Sequence, residues 1–137
     1  MTYKTPPKPR ALFIGRWQPF HNGHKWLINK KLSCNTPILI AVRDILPDDK
    51  NPFTTEQTVE MLTEVYADDD VVIISISDIE SVNYGRGVGY AINEHVPPDN
   101  ICRISASDIR NKIHNQDDTW KTLVDQRIWH LIEKYLV

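Results

Sequence analysis

The stretch GRWQPFHNGH, residues 15–24, places two imidazoles three positions apart, His21 and His24, behind the guanidinium of Arg16. These side chains suit a phosphate group: both types donate hydrogen bonds, and the arginine adds a fixed positive charge. A helix starting inside the stretch would add its unpaired backbone N–H groups and the positive end of its dipole to the same place. Gly15 would let the chain turn off a preceding strand, Pro19 would stiffen the loop, and Gly23 would let a ligand approach the main chain. Trp17 lies in the same loop and is counted with the nucleotide-binding residues. His-x-x-His spacing also occurs in zinc sites. The only other histidines are His95, His114 and His130, and the two cysteines stand apart, so metal ligation by side chains is the poorer reading.

A second constellation is ISASDIR, residues 104–110. Ser105 and Ser107 can cap a helix there and offer hydroxyls to an anion. Arg110 would fall in the first turn, where the helix dipole disfavours a cation unless an anion is bound nearby. Solvated capping is the plainer alternative, but beside the first stretch a second phosphate contact is the better reading.

The elements that must position these residues alternate. ALFIG (11–15), PILIAVRD (37–44) and DVVIISISD (70–78) are apolar runs of strand length, and ICRI (101–104) reads as a brief fourth strand. Residues 22–33 and 54–66 have helical apolar spacing, the second with Thr54 or Thr55 as its cap. VGYAINEHV (88–96) reads as a short helix, and two more helices follow, the last over about 119–136. Uninterrupted apolar strands alternating with helices predict an α/β, Rossmann-like doubly wound parallel sheet, with helices on both faces. The expected organisation is a flexible N-terminal tail over 1–9 and one compact domain over 10–137 with C-terminal helices. In such sheets ligands bind beyond the carboxyl ends of the strands, where GRWQPFHNGH would lie.

VNYGRGVGY (82–90) reads as a glycine-rich loop beyond the third strand. Asn83, Tyr84 and Arg86 suit stacking on, and hydrogen bonding to, a ring-bearing phosphate compound, and Arg43 at the end of the second strand faces the same side. A plain flexible loop is the alternative. DILPDDKNP (44–52) is expected to be an exposed surface segment.

Composition narrows the function classes. The 137 residues are 41% hydrophobic and 25% charged with a formal net charge of −2, which argues against a general nucleic-acid or anionic-membrane binder. The longest apolar runs are too short to span a bilayer, and MTYKTPPKP lacks the apolar core of a signal peptide. Cys34 and Cys102 suggest no disulfide framework, which points to a reducing, cytoplasmic setting.

GRWQPFHNGH together with ISASDIR resembles the HxGH nucleotidyltransferases of the cytidylyltransferase-like superfamily, nearest to the archaeal-type nicotinamide mononucleotide (NMN) adenylyltransferases. NPFT (52–55) and DDTWKTLV (117–124) are similar to stretches of that family as well. The resemblance runs from about residue 10 over most of the chain. It implies transfer of a nucleotidyl group from a triphosphate, ATP with Mg²⁺ riding on its phosphates, to a phosphorylated small molecule, with release of pyrophosphate and no covalent enzyme intermediate. It implies that His24 contacts the α-phosphate, that His21, Arg16 and Arg110 hold the triphosphate, and that Ser105 and Ser107 stand at the second helix end. It also implies a homo-oligomer. The chain departs from the family at Thr58, where an arginine is usual, at Ala106-Ser107 in place of Gly-Thr, and in having no counterpart to an SGN-type loop. Alternatives are a cytidylyltransferase or another nucleotidyltransferase acting on a phosphorylated alcohol or sugar, and a nucleotide-binding regulator without turnover.

Overall fold

The computed structural model describes residues 8–136. The order is β1 (Ala11–Gly15), α1 (Asn22–Leu32), β2 (Ile38–Asp44), α2 (Thr55–Val65), β3 (Val71–Ser77), α3 (Asp99–Cys102), α4 (Ala106–His114) and α5 (Trp129–Leu136). Two 3₁₀ turns, Asp118–Leu123 and Gln126–Ile128, lie between α4 and α5.

The three strands form one parallel sheet in the order β1-β2-β3, with Phe13 beside Ile40 and Ile40 beside Ile73. The chain is thus α/β and Rossmann-like, with strand order running in one direction among the described residues. Parallel neighbours need crossovers, and α1 and α2 supply them. One sheet face carries Phe13, Ile38, Ile40 and Val42, which are buried in a single core with residues of the helices such as Ile28, Leu62 and Ile132. The opposite face is not covered as the apolar strands led us to expect: Leu12, Ile14, Val72 and Ile74 are exposed there.

The first two helices begin where the sequence places them, for local reasons. Thr54 caps α2, accepting from Gln57 N while the Gln57 side chain accepts from Thr54 N. Three other expectations fail. ICRI is not a strand: Pro98 opens the short α3, and Ile101 N and Cys102 N both donate to the Pro98 carbonyl. VGYAINEHV is not helical: Gly89 within it and Gly87 just before it sit at φ 78° and 72°, in the left-handed region. The long final helix is broken near Asp125, whose carboxylate accepts from the main-chain N and the guanidinium of Arg127. That nearly buried carboxylate also pairs with Lys25 at 2.7 Å, tying α1 to the C-terminal segment. The guanidinium of Arg127 and the ammonium of Lys25 hold the Asp125 carboxyl well below the usual range.

Of the expected tail, residues 1–7 lie outside the described residues. Lys8 and Arg10 both pair with Asp70, ahead of β3.

Candidate phosphate-binding site

β1 ends at Gly15, and the loop 16–21 carries the chain into α1. Its first two positions explain the glycine. Trp17 turns back at φ 55° and buries its indole, with Nε1 donating to the Ala41 carbonyl at 3.3 Å. A Cβ on Gly15 would stand 2.8 Å from Trp17 Cε2 and 2.9 Å from Cζ2. The glycine therefore makes room for the tryptophan; a turn alone would not demand it. Gly15→Ala is expected to cost about 1–3 kcal/mol by overpacking, read as a lower denaturation midpoint. Unchanged stability would show that the indole is not wedged there.

Trp17 is only 4% exposed, so it offers no face to a nucleotide, and here the structure corrects the sequence reading. It instead meets His24 edge-on at 4.9 Å, while Phe20 stacks on His24 at 5.6 Å. The two aromatic rings hold His24 from two sides.

His21 is the N-cap of α1, in extended conformation. Its Nδ1 accepts from Gly23 N at 3.0 Å, and Nδ1 of His24 accepts from His21 N at 3.2 Å. The two imidazoles thus do what a serine and a glutamate do in an ordinary capping box. They stack at 3.7 Å between centroids, tilted by 18°. A Cβ on Gly23 would come within 2.8 Å of the His21 ring. Gly23 is therefore required by the histidine itself, a different reason from the open ligand approach inferred from sequence.

This geometry sets the chemistry of both rings. With each Nδ1 occupied as an acceptor, the neutral ring must carry its proton on Nε2, which is left as a donor. Burial pushes His21 down to about 4, and burial together with the neighbouring His21 pushes His24 down to about 3. Both are neutral donors at ordinary pH. The first turn of α1 carries no acidic residue, so the positive end of its dipole is not answered from within the helix.

Arg110, expected in the first turn of α4, is its fifth and middle residue, and it reaches across to this loop. Its Nη1 donates to the Gln18 carbonyl at 2.8 Å and its Nη2 to Ser107 Oγ at 3.2 Å. Ser105 is the N-cap of α4, accepting from Asp108 N. GRWQPFHNGH and ISASDIR, some ninety positions apart, are thus in direct contact.

Arg16 points to the carboxyl ends of the strands. It lines an open cleft of about 300 Å³ with Asp44, Ile45, Leu46, Asp48, Asn51 and Asp78. Asp78 faces two arginines, Arg43 at 2.7 Å and Arg16 at 3.8 Å. The Ile79 N–H, then the Arg43 guanidinium, hold the Asp78 carboxyl below its ordinary value. Asp48 accepts from the main chain and side chain of Asn51, and its charge acts on both Arg16 and Arg110.

Of the four acceptor candidates, Arg43 alone is joined to the cleft, through Asp78. Tyr84 and Arg86 line a separate surface hollow built from residues 84–92, which shares no residue with it, and the Asn83 amide donates to Ser81 Oγ. Three residues of the site escaped the sequence reading. Asp48 and Asn51 had a signal, the Asx-turn chemistry of DDKN. Asp78 had only its place at the end of a strand.

Among the described residues no group of three His, Cys, Asp or Glu side chains could hold a metal ion. No helix of the described residues is long and apolar enough to cross a membrane.

The profile of the family described as cytidylyltransferase-like matches residues 12–127, which includes both constellations and the sheet between them. The chain belongs to this cytidylyltransferase-like family. Among its similar proteins is the nicotinamide-nucleotide adenylyltransferase of Methanococcus aeolicus, 28% identical over 153 aligned residues that cover 91% of this chain and 88% of the relative. The enzyme of that name from Methanocorpusculum labreanum is 41% identical over 56 residues, 39% of this chain and 33% of the relative. The phosphopantetheine adenylyltransferase of Phocaeicola vulgatus is 31% identical over 77 residues, 56% of this chain and 50% of the relative. The chain thus spans half or less of two of these relatives and most of the third.

Proposed function

We propose that this chain transfers AMP from ATP to a phosphorylated acceptor, with NMN as the acceptor and NAD and pyrophosphate as the products. One observation carries the reading. Two imidazoles at a helix N-terminus are held neutral with their Nε2 protons free, because main-chain N–H groups occupy both Nδ1 atoms. A phosphate acceptor is already anionic and needs no base to attack. What it needs is charge stabilisation on the phosphorus it attacks, and neutral fixed donors supply that without holding the product.

In the proposed reaction an oxygen of the acceptor phosphate forms a bond to the α-phosphorus of ATP. The bond from that phosphorus to the α–β bridging oxygen breaks, and pyrophosphate leaves with the electron pair. His24 donates to the α-phosphate as charge builds on it. His21 and the N-terminus of α1 hold the β-phosphate side, and Arg110 and Arg16 meet the triphosphate from α4 and from β1. Mg²⁺ belongs to the substrate, carried on the triphosphate, and no step is assigned to it. Arg43, beside Asp78, is the acceptor-side residue nearest to this arrangement. Asn83, Tyr84 and Arg86 belong to the acceptor site only if their segment closes toward the cleft. A reducing, cytoplasmic location and a homo-oligomeric state complete the proposal.

The likeness to a phosphopantetheine adenylyltransferase favours a second reading, adenylyl transfer to a different phosphorylated acceptor. Pyrophosphate release with Mg²⁺ separates them, using ATP and CTP as donors against NMN, nicotinate mononucleotide, phosphopantetheine and phosphorylated sugars. Release with ATP and NMN alone supports the proposal. Release with ATP and another acceptor transfers the specificity, CTP-dependent release makes the chain a cytidylyltransferase, and tight ATP binding without any release makes it a regulator.

A further inference from the structure

Gln18 is a polar side chain within an otherwise apolar run, Trp17, Pro19 and Phe20, and it is only 5% exposed. Both ends of its amide are engaged. Nε2 donates to the Phe53 carbonyl at 3.0 Å and Oε1 accepts from Phe53 N at 2.9 Å. The side chain thus pairs with one residue's backbone as a neighbouring strand would. Phe53 is completely buried and cannot shift without disturbing the core. On its C-terminal side Thr54 starts α2, and on its N-terminal side Asn51 fixes Asp48, whose charge acts on Arg16 and Arg110. The main-chain carbonyl of the same Gln18 accepts from Arg110 at 2.8 Å.

Three segments far apart in sequence therefore meet on one residue. We infer that Gln18 is a positioning residue: its side chain pins the loop before α1 to Phe53, and the pinned main chain in turn aims the Arg110 guanidinium at the phosphate site. The inference rests on the proposed use of Arg110 for the triphosphate. An arginine tethered at Nη1 to a fixed carbonyl and at Nη2 to Ser107 is preorganised, and that preorganisation is lost when the carbonyl is free to move. The side chain of Gln18 need not touch the substrate to matter.

A role exercised through Arg110 has a signature that a general loss of stability lacks. Residues that act through one another are non-additive. The test is a double-mutant cycle of Gln18→Met, which keeps the volume and removes both hydrogen bonds, with Arg110→Ala. Two quantities are read: ATP affinity by calorimetry in the presence of Mg²⁺, and kcat/KM for pyrophosphate release. Thermal melts confirm that each variant is folded at the assay temperature. In the native background Gln18→Met is expected to lower both by about tenfold, on the scale of coupling between contacting residues, and in the Arg110→Ala background by about twofold or less. An equal loss in both backgrounds overturns the inference and leaves Gln18 a structural residue only. Should Gln18→Met fail to fold, Gln18→Asn decides in the same cycle, since it keeps a neutral amide and is one methylene too short to hold both Phe53 groups. A native protein without ATP affinity overturns the proposed function and this inference with it. ATP binding with an additive cycle overturns only the role of Gln18.

Discussion

His24→Ala is expected to lower the turnover of ATP with the phosphorylated acceptor by about two to three orders of magnitude, the scale of a lost transition-state donor. The effect should fall on kcat more than on KM for ATP. His21, Arg16, Arg110 and the α1 dipole would still bind the ground-state triphosphate, while the donor lost is the one aimed at the reacting phosphorus. Steady-state kinetics of pyrophosphate release give both parameters. The variant also removes a ring packed between Trp17 and Phe20 and the acceptor for His21 N, so a lower melting temperature accompanies the loss. Near-native kcat would remove His24 from the mechanism.

The second large effect is on pH. An unfolded imidazole takes up its proton near 6.5, whereas His21 in the folded chain does so only near 4 and His24 only near 3. Between these values the unfolded state binds more protons than the folded one, so stability rises with pH and falls as the solution is acidified. The window runs from about pH 6.5 downward, and stability at and above neutrality is untouched by these two groups. At 1.36 kcal/mol per unit, His21 alone accounts for roughly 3 kcal/mol by the time pH 4 is reached. Urea denaturation at a series of pH values measures this directly. His21→Asn should flatten part of the slope between pH 6.5 and 4, a range above the one in which the Asp125 carboxylate titrates. Constant stability from pH 6.5 to 5 would mean that the imidazoles are not held neutral by burial. Activity should follow the same logic: kcat is expected to lack a histidine limb near 6.5, because the donors are neutral on both sides of it.

The five alternating elements from Ala11 to Ser77 were legible because each is decided locally. Apolar runs of strand length, helical apolar spacing and the Thr54–Gln57 box all lie within a few residues of what they specify. After Ser77 only α4, capped by Ser105 as its residue type suggests, was legible; elsewhere local signals compete. Ile101 and Ile104 read as strand, yet Pro98 and its carbonyl draw the chain into a helical turn. Trp120, Ile128 and Leu131 hold a helical stripe, yet Asp125 spends its side chain on Arg127 and Trp129 donates to the Lys121 and Val124 carbonyls.

The site shows the same division. The proposal that His21, His24 and Arg110 bind an anion rests on residue type and spacing and needs no fold. What those residues touch could not. Trp17 was counted with the nucleotide-binding residues and is a buried wall beside His24. Gly15 and Gly23 looked like concessions to a turn and a ligand, and they make room for an indole and an imidazole. Gln18 carried no local signal, since its partners are 35 and 92 residues away.

The central claim is that the cradle formed by His21, His24 and Arg110 serves nucleotidyl transfer to a phosphate acceptor. Incubating the protein with Mg²⁺, NMN and ATP labelled either at the α-phosphate or at the γ-phosphate tests it most directly. The account predicts that the α-label appears in NAD and the γ-label in pyrophosphate, and that both fall together in His24→Ala. A γ-label released as inorganic phosphate, with the α-label remaining in ADP, would show the cradle serving hydrolysis of the terminal phosphate and would contradict it.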